Sequence, residues 1–339
     1  MTKERNLKRV AYVGSSHHIQ KTKSTIFLIN LLQENYHVDL IITDHWTNDF
    51  VPVEISTDRL YDAVLFFQSV PQGVLKLKVR DNWIFVPMYD QSGGDPVENW
   101  LVYRDYKILC FSRTMGKKLD KWGFRTFSTL YYPQPKIQTS PEAGTLFFWQ
   151  RRPEVHWNSI RQLIPEGYLK KVHLHLAVDH GEPVYPSSEE QKQIAFTFSN
   201  WFESNEEFQK LLSQNEIFVA PRLAEGIGFS FLEAMALGIV VIAVNKPTMN
   251  EYIKHGKTGY LFDPQNPKIM DLSEIEGIRQ QLPLEMEQGY QRWLIDREKI
   301  IQFINAPLVP LGPQWTFTVI LGKTRLFLRL LKKKLRRKF

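Results

Sequence analysis

The sequence predicts an α/β protein of two successive domains, each a mainly parallel sheet with helices on both faces. Three observations predict it. Short apolar runs alternate with helix-like segments along the chain. One proline-rich, aperiodic stretch, Pro133 to Gly144, interrupts the alternation. The length of 339 residues suits two domains of ordinary size.

In the first half, Arg9–Val13 is strand-like and ends in Gly14, and Ser24–Leu32 reads as a mostly buried helix. Val38–Ile42, Ala63–Phe67, Trp83–Val86 and Lys107–Phe111 are short strand runs, Thr114–Trp122 is a helix, and Phe127–Tyr132 is another strand. After the linker the pattern restarts. Thr145–Trp149 is strand-like, Asn158–Leu163 helical, Val172–Val178 strand-like, Glu206–Leu212 helical and Ile217–Ala220 strand-like. A small-residue helix and a buried run, Ile239–Val244, follow. Gln288–Ile304 reads as a late helix.

Hydrophobic residues make up 43% of the chain, ordinary for a soluble globular protein. The one cysteine, Cys110, sits in the apolar run KILCFS and is expected to be a buried reduced thiol, which fits a cytosolic compartment. The N-terminus passes from charge directly into a strand pattern, without the look of a signal peptide, and no apolar run is long enough to span a bilayer. The net charge is +7, but residues 299–339 hold ten Lys or Arg and no acid; subtracting those ten leaves about −3 for the body.

The most informative stretch is Glu225 to Glu251, EGIGFSFLEAMALGIVVIAVNKPTMNE. Gly226 and Gly228 let backbone N–H groups approach a ligand closely. The helix behind them aims its N-terminus at that loop, and such an end attracts phosphate. Glu225 and Glu233, with seven residues between them, can grip hydroxyls on either side of a bound diphosphate. The Glu-seven-Glu spacing, the EAMALG helix, the IA strand end and the later GKTGYLF together resemble the donor-site signature of family-4 (group 1) retaining glycosyltransferases with the GT-B fold. Two Rossmann-like domains with a cleft between them are what that resemblance implies. It implies an acceptor domain over 1–135, a nucleotide-sugar donor domain over 144–287, a crossover helix over 288–305, and leaves 306–339 as a basic tail.

The resemblance assigns Glu233 to the ribose hydroxyls, Glu225 to hydroxyls of the transferred sugar, and the N–H groups of Ile227, Gly228 and Phe229 to the diphosphate and sugar. Glu251 lies in a loop where relatives complete the sugar site. No Asp-x-Asp occurs, so no metal or other cofactor is expected, and cations must neutralise the leaving diphosphate. FFWQRRPEVHW aligns with the family segment that carries an arginine and, five residues on, a lysine. Arg151 matches the arginine, His156 stands at the lysine, and Gln150 replaces the customary glycine. Three readings stay open: a protonated His156, a charge supplied by Arg152 or Arg222, or a weakened enzyme. Arg222, three residues before Glu225, is favoured.

On the acceptor side, Gly14 fits the family's glycine-rich loop, with Ser15, Ser16 and His18 as polar neighbours beside His17. Tyr89-Asp90 replaces a usual His-Asp pair. A phenol donates a hydrogen bond but is no base at neutral pH, so Asp90 is the candidate for polarising the acceptor hydroxyl. His173 and His175 share one face of a strand without further metal ligands in view.

In the tail, Leu328, Leu331, Leu335 and Phe339 recur at helical spacing, with Arg325, Arg329, Lys332 and Arg336 on a neighbouring face. Basic charge with interleaved Leu, Phe and Trp predicts that 315–339 docks on an anionic membrane surface. No nucleic-acid module accompanies it. The expectation is a cytoplasmic enzyme, peripheral on the inner face of the membrane, that moves a sugar from a nucleotide-diphosphate sugar to a glycan or lipid-linked acceptor in polysaccharide or glycolipid synthesis. The alternatives are a sugar-nucleotide epimerase of GT-B type and a degenerate GT-B binding subunit.

Overall fold

The computed structural model describes residues 7–44, 51–56, 61–77, 82–136 and 140–336. Residues 1–6 of the charged N-terminal stretch, 137–139 of the expected linker and Phe339 of the expected tail stripe lie outside the described residues. So do the side chains of Leu335 and Arg336.

The chain forms two compact units, Met1–Leu130 with Leu294–Phe339, and Tyr131–Trp293. In the first unit the order is β1 (Arg9–Gly14), α1 (Ile26–Gln33), β2 (His37–Ile42), β3 (Ala63–Phe67), β4 (Trp83–Val86), β5 (Lys107–Cys110), α2 (Arg113–Lys121) and β6 (Arg125–Ser128). The strands form one parallel sheet in the order β2-β1-β3-β4-β5-β6. Strands β3, β4 and β5 are buried along their whole length, which is why they read as unbroken apolar runs. Cys110 is fully buried among them.

The second unit contains β7 (Glu142–Trp149), β8 (Lys171–His175), β9 (Ala195–Ser199), α3 (Asn205–Leu212), β10 (Asn215–Val219), α4 (Phe229–Ala236), β11 (Val240–Val244) and β12 (Tyr260–Phe262). Its parallel sheet runs β12-β11-β10-β7-β8-β9. Two strands were not foreseen. β9 is an edge strand whose residues are half-buried or exposed, and β12 is three residues long. The stretch after Pro133 does not hang free, because Lys136 N–H donates to Ala236 O at 3.0 Å.

Helix α5 (Ile275–Asn305) is longer than the expected Gln288–Ile304. Gly277 and Pro283 in its first half read as stop signals. The passage from the second unit to the first falls inside this helix, between Trp293 and Leu294. In the first unit its C-terminus is closed by Lys107. The three N–H groups of the buried ammonium are shared among four acceptors, Asn82 Oδ1 (2.9 Å) and the carbonyls of Phe303 (2.7 Å), Ile304 (2.8 Å) and Ala306 (2.8 Å). The carbonyls of Phe303 and Ile304 lie in the last turn of the helix, where no intrahelical partner is in reach. Burial lowers the Lys107 pKa to about 8.

Helix α6 (Gln314–Arg336) packs on the first unit by one face. Thr318 is buried, Gly322 faces Leu101, Trp315 meets Phe124 edge-on at 5.0 Å, and Arg329 reaches Glu98 at 3.8 Å. Phe317, Ile320, Phe327, Leu328 and Leu331 are exposed along the opposite stripe.

Candidate functional site

Strand order locates the site. In the second unit β7 comes first, β8 is added on one side, and β10 on the other. The direction of winding reverses between β7 and β10, and open α/β sheets bind ligands at the carboxyl ends of strands beside such a reversal. Beyond those ends the chain places Gln150, Arg151 and Arg152 after β7, Asp179 after β8, and Arg222 after β10.

Three arginines meet on one carboxylate there. Arg151 Nε donates to Asp179 Oδ1 at 3.0 Å and Oδ2 at 3.2 Å. Arg152 Nε lies 3.0 Å from Asp179 Oδ2, and an Arg222 terminal nitrogen 3.4 Å from it. Arg152 Nη1 also reaches His180 Nδ1 at 3.2 Å, and the Arg151 guanidinium lies over the Trp149 ring at 5.0 Å. Burial by itself would raise the Asp179 carboxyl. The Arg151 hydrogen bond and the charges of Arg151, Arg152 and Arg222 outweigh it and hold the pKa below the usual carboxylate value. Three guanidiniums gathered at one carboxylate are groups of the kind that recognise a diphosphate.

Gln150 and His156 serve the backbone around this cluster. Buried Gln150 accepts from Trp157 N–H at 2.7 Å and donates to Val184 O at 3.1 Å. A glycine could make neither bond. His156 precedes the short helix Trp157–Arg161, and its N–H donates to Ser159 Oγ at 3.0 Å. No contact joins His156 to the arginines among the described residues.

The loop after β10 carries Glu225, Gly226 and Ile227, all buried. The Thr248 hydroxyl lies 3.4 Å from both Glu225 O and Ile227 O, tying the loop to the segment after β11. Gly228 caps α4 with φ +86°, and a Cβ there would fall inside the Phe231 ring. Because α4 returns antiparallel to β10, its first turn, beginning at Phe229, directs N–H groups toward the same edge of the sheet. Glu251 lies beyond β11 in the short helix Met249–Tyr252 and is half-buried.

Glu233, one turn into α4, accepts from Gln209 Nε2 at 2.7 Å, and Lys136 Nζ donates to Gln209 Oε1 at 2.9 Å. Burial raises the Glu233 pKa, against the opposing pull of the Lys136 charge and the Gln209 hydrogen bond. The contacts thus unite Arg151, Arg152 and Arg222 directly. Glu225, Glu233 and Glu251 lie on neighbouring segments, Glu225 tied through its carbonyl to Thr248 and Glu233 through its carboxylate to Gln209.

The first unit repeats the logic, with its reversal between β1 and β3. Gly14 ends β1, and Ser15 O accepts from the N–H groups of His18 (3.2 Å) and Ile19 (3.1 Å). Ser16 donates to Asp44 through N–H at 3.0 Å and Oγ at 2.7 Å. His18 Nδ1 pairs with Ser24 Oγ at 2.9 Å. Beyond β4, Tyr89 is half-buried and Asp90 is exposed in the short helix Tyr89–Ser92.

His173 and His175 are core residues bonded to strand β9. His173 pairs with Thr197 Oγ1 (2.8 Å) and Ser199 Oγ (2.8 Å), and His175 with Ser199 Oγ (2.7 Å). Burial lowers both to about 4, so both are neutral at pH 7. Sequence reasoning missed Asp179. The available signal was an acid at the end of an apolar run in AVDHG, just before Gly181.

Residues 187–275 match the family described as "Glycosyl transferases group 1". Over 64 residues the chain is 39% identical to the sucrose synthase of Melioribacter roseus, a match spanning 19% of this chain and 8% of that protein. The fold resembles Anabaena HepE in complex with UDP, with a TM-score of 0.59 at 13% identity over 87% of this chain and 99% of that one. HepE in complex with UDP-glucose gives a TM-score of 0.57 at 13% identity, over 87% and 98%. Sucrose-phosphate synthase from Thermosynechococcus elongatus gives 0.52 at 13% identity, over 96% and 100%. The fold is GT-B, with one six-stranded parallel sheet in each unit.

Proposed function

We propose that this chain is a glycosyltransferase that takes a sugar from a nucleotide-diphosphate sugar, retains its anomeric configuration, and works without a metal ion. The observation that carries the reading is the meeting of Arg151, Arg152 and Arg222 at the β7/β10 reversal, beside a segment that matches group 1 glycosyl transferases. As the bond from the anomeric carbon to the diphosphate breaks, its electron pair passes to the phosphate oxygen. Arg151 and Arg222 stabilise that charge where it develops. N–H groups of Ile227, Gly228 and Phe229 add to the seat, Glu225 and Glu251 contact sugar hydroxyls, and Glu233 holds the ribose. In this reading His156 carries no charge for the reaction, and Arg152 and Arg222 supply what the usual lysine would. UDP and UDP-glucose in complexes of the HepE fold relative support a uridine nucleotide as the first donor to try.

For the first unit the proposal is an acceptor role, with Gly14, Ser15, Ser16, His18 and Tyr89 lining it and Asp90 polarising the acceptor hydroxyl. The acceptor is proposed to be a lipid-linked or membrane-associated glycan at the cytoplasmic face of the membrane. The outward apolar stripe of α6 among basic residues supports this, and no helix among the described residues is long and apolar enough to cross a membrane. Incubation with a panel of UDP- and GDP-sugars tests the activity. Transfer or slow hydrolysis agrees with it, epimerisation assigns the chain to the epimerases, and binding without turnover makes it a binding subunit.

A further inference from the structure

We propose that Asp179 is the positioning residue of the donor seat: it grips Arg151 and Arg152 by Nε and Arg222 by a terminal nitrogen, and so aims the remaining guanidinium nitrogens at the diphosphate. This rests on reading the arginine cluster as that seat. Three features of the geometry carry it. First, all three arginines share one oxygen, Asp179 Oδ2, at 3.2, 3.0 and 3.4 Å. The bonding nitrogens are therefore within about 7 Å of one another, where like charges at an effective dielectric near 20 repel appreciably. Asp179 is the counter-charge common to all three.

Second, Arg151 and Arg152 are held by their Nε edges. The terminal nitrogens of Arg151 have no hydrogen bond among the described residues, and a guanidinium's paired terminal N–H groups are what recognise phosphate in bidentate fashion. Third, Asp179 is fixed from its own backbone: its N–H donates to Arg151 O at 2.9 Å, joining the segments that follow β7 and β8. A carboxylate merely occupying the phosphate's place until a donor displaced it would not need that anchor. The depressed Asp179 pKa agrees, keeping the group ionised at every pH near neutrality.

The two roles predict opposite outcomes when the charge is removed. Asp179→Asn makes the cluster more positive, so a displaced placeholder gives tighter UDP binding in the variant. A positioning role gives weaker binding, because the arginines splay apart. Calorimetric titration with UDP, and with uridine as a probe that lacks phosphates, separates them. The expected result is a loss of tenfold or more in UDP affinity for Asp179→Asn, with uridine binding unchanged and partial recovery in Asp179→Glu. A general loss of structure would weaken uridine equally and would appear as a lowered melting temperature. Equal or tighter UDP binding by Asp179→Asn, or parallel loss of UDP and uridine, overturns the inference while leaving the seat in place. Wild-type protein that binds neither UDP nor GDP overturns the seat itself, and the inference with it.

Discussion

Gly228→Ala tests the turn that opens α4. At φ +86° an L-residue pays about 1–2 kcal/mol that glycine does not. The new methyl group would also occupy the Phe231 ring, which is fully buried and cannot swing into solvent. Forcing extra volume into a packed core costs about 1–3 kcal/mol more. The sum is about 2–5 kcal/mol, or a fall on the order of 10 °C in the melting of the second unit. Gly256→Ala is the control: its φ is +71°, but a Cβ there meets nothing within 4 Å, so only the backbone cost applies. Differential scanning calorimetry of both variants, with UDP titrations of each, reads the difference. Gly228→Ala should melt several degrees below Gly256→Ala and lose UDP affinity, because the first turn of α4 must shift. Equal melting of the two variants would refute the packing argument, and unchanged UDP affinity would separate this turn from the phosphates.

Three further outcomes are expected. Arg151→Ala should lower kcat for sugar transfer by about 10²–10³-fold with the fold intact by circular dichroism; near-normal turnover would remove Arg151 from the site. Glu233 has a folded pKa above its unfolded value, so its ionisation costs native stability as pH rises through the range just above the ordinary carboxylate value. Glu233→Gln should therefore be more stable than wild type at neutral pH and should lose that pH dependence in melts, while binding nucleotide less tightly; an identical pH profile would contradict the burial argument. Deleting residues 326–339 removes most of the basic run, worth about 1 kcal/mol per charge near an anionic leaflet, and should release the protein from anionic liposomes in flotation. Unchanged flotation would end the membrane reading.

What could be read from the chain follows physical lines. The buried parallel strands were legible because both faces of β3, β5 and β11 demand apolar residues. Edge strand β9 was not, since Ala195, Thr197 and Phe198 are exposed and only Phe196 and Ser199 are half-buried, so neither an apolar run nor a clean alternation marks it. The first half of α5 was hidden by Pro283, which the helix tolerates inside its span. Glu225, Glu233 and the glycines lie within one continuous motif, so their grouping is local. The arginine cluster is not local: Asp179 lies 28 residues from Arg151 and 43 from Arg222. Only the β8-β7-β10 strand order brings them to one edge. His156, aligned with the family's lysine, stands at the start of the short helix Trp157–Arg161, a local role that alignment alone does not reveal.

A crystal structure of the chain soaked with UDP bears most directly on the whole account. The diphosphate should lie at the carboxyl ends of β7 and β10, with its oxygens on the terminal nitrogens of Arg151 and Arg222 and near the N–H of Phe229. Phosphates bound away from these arginines, or nucleotide held only in the first unit, would contradict it.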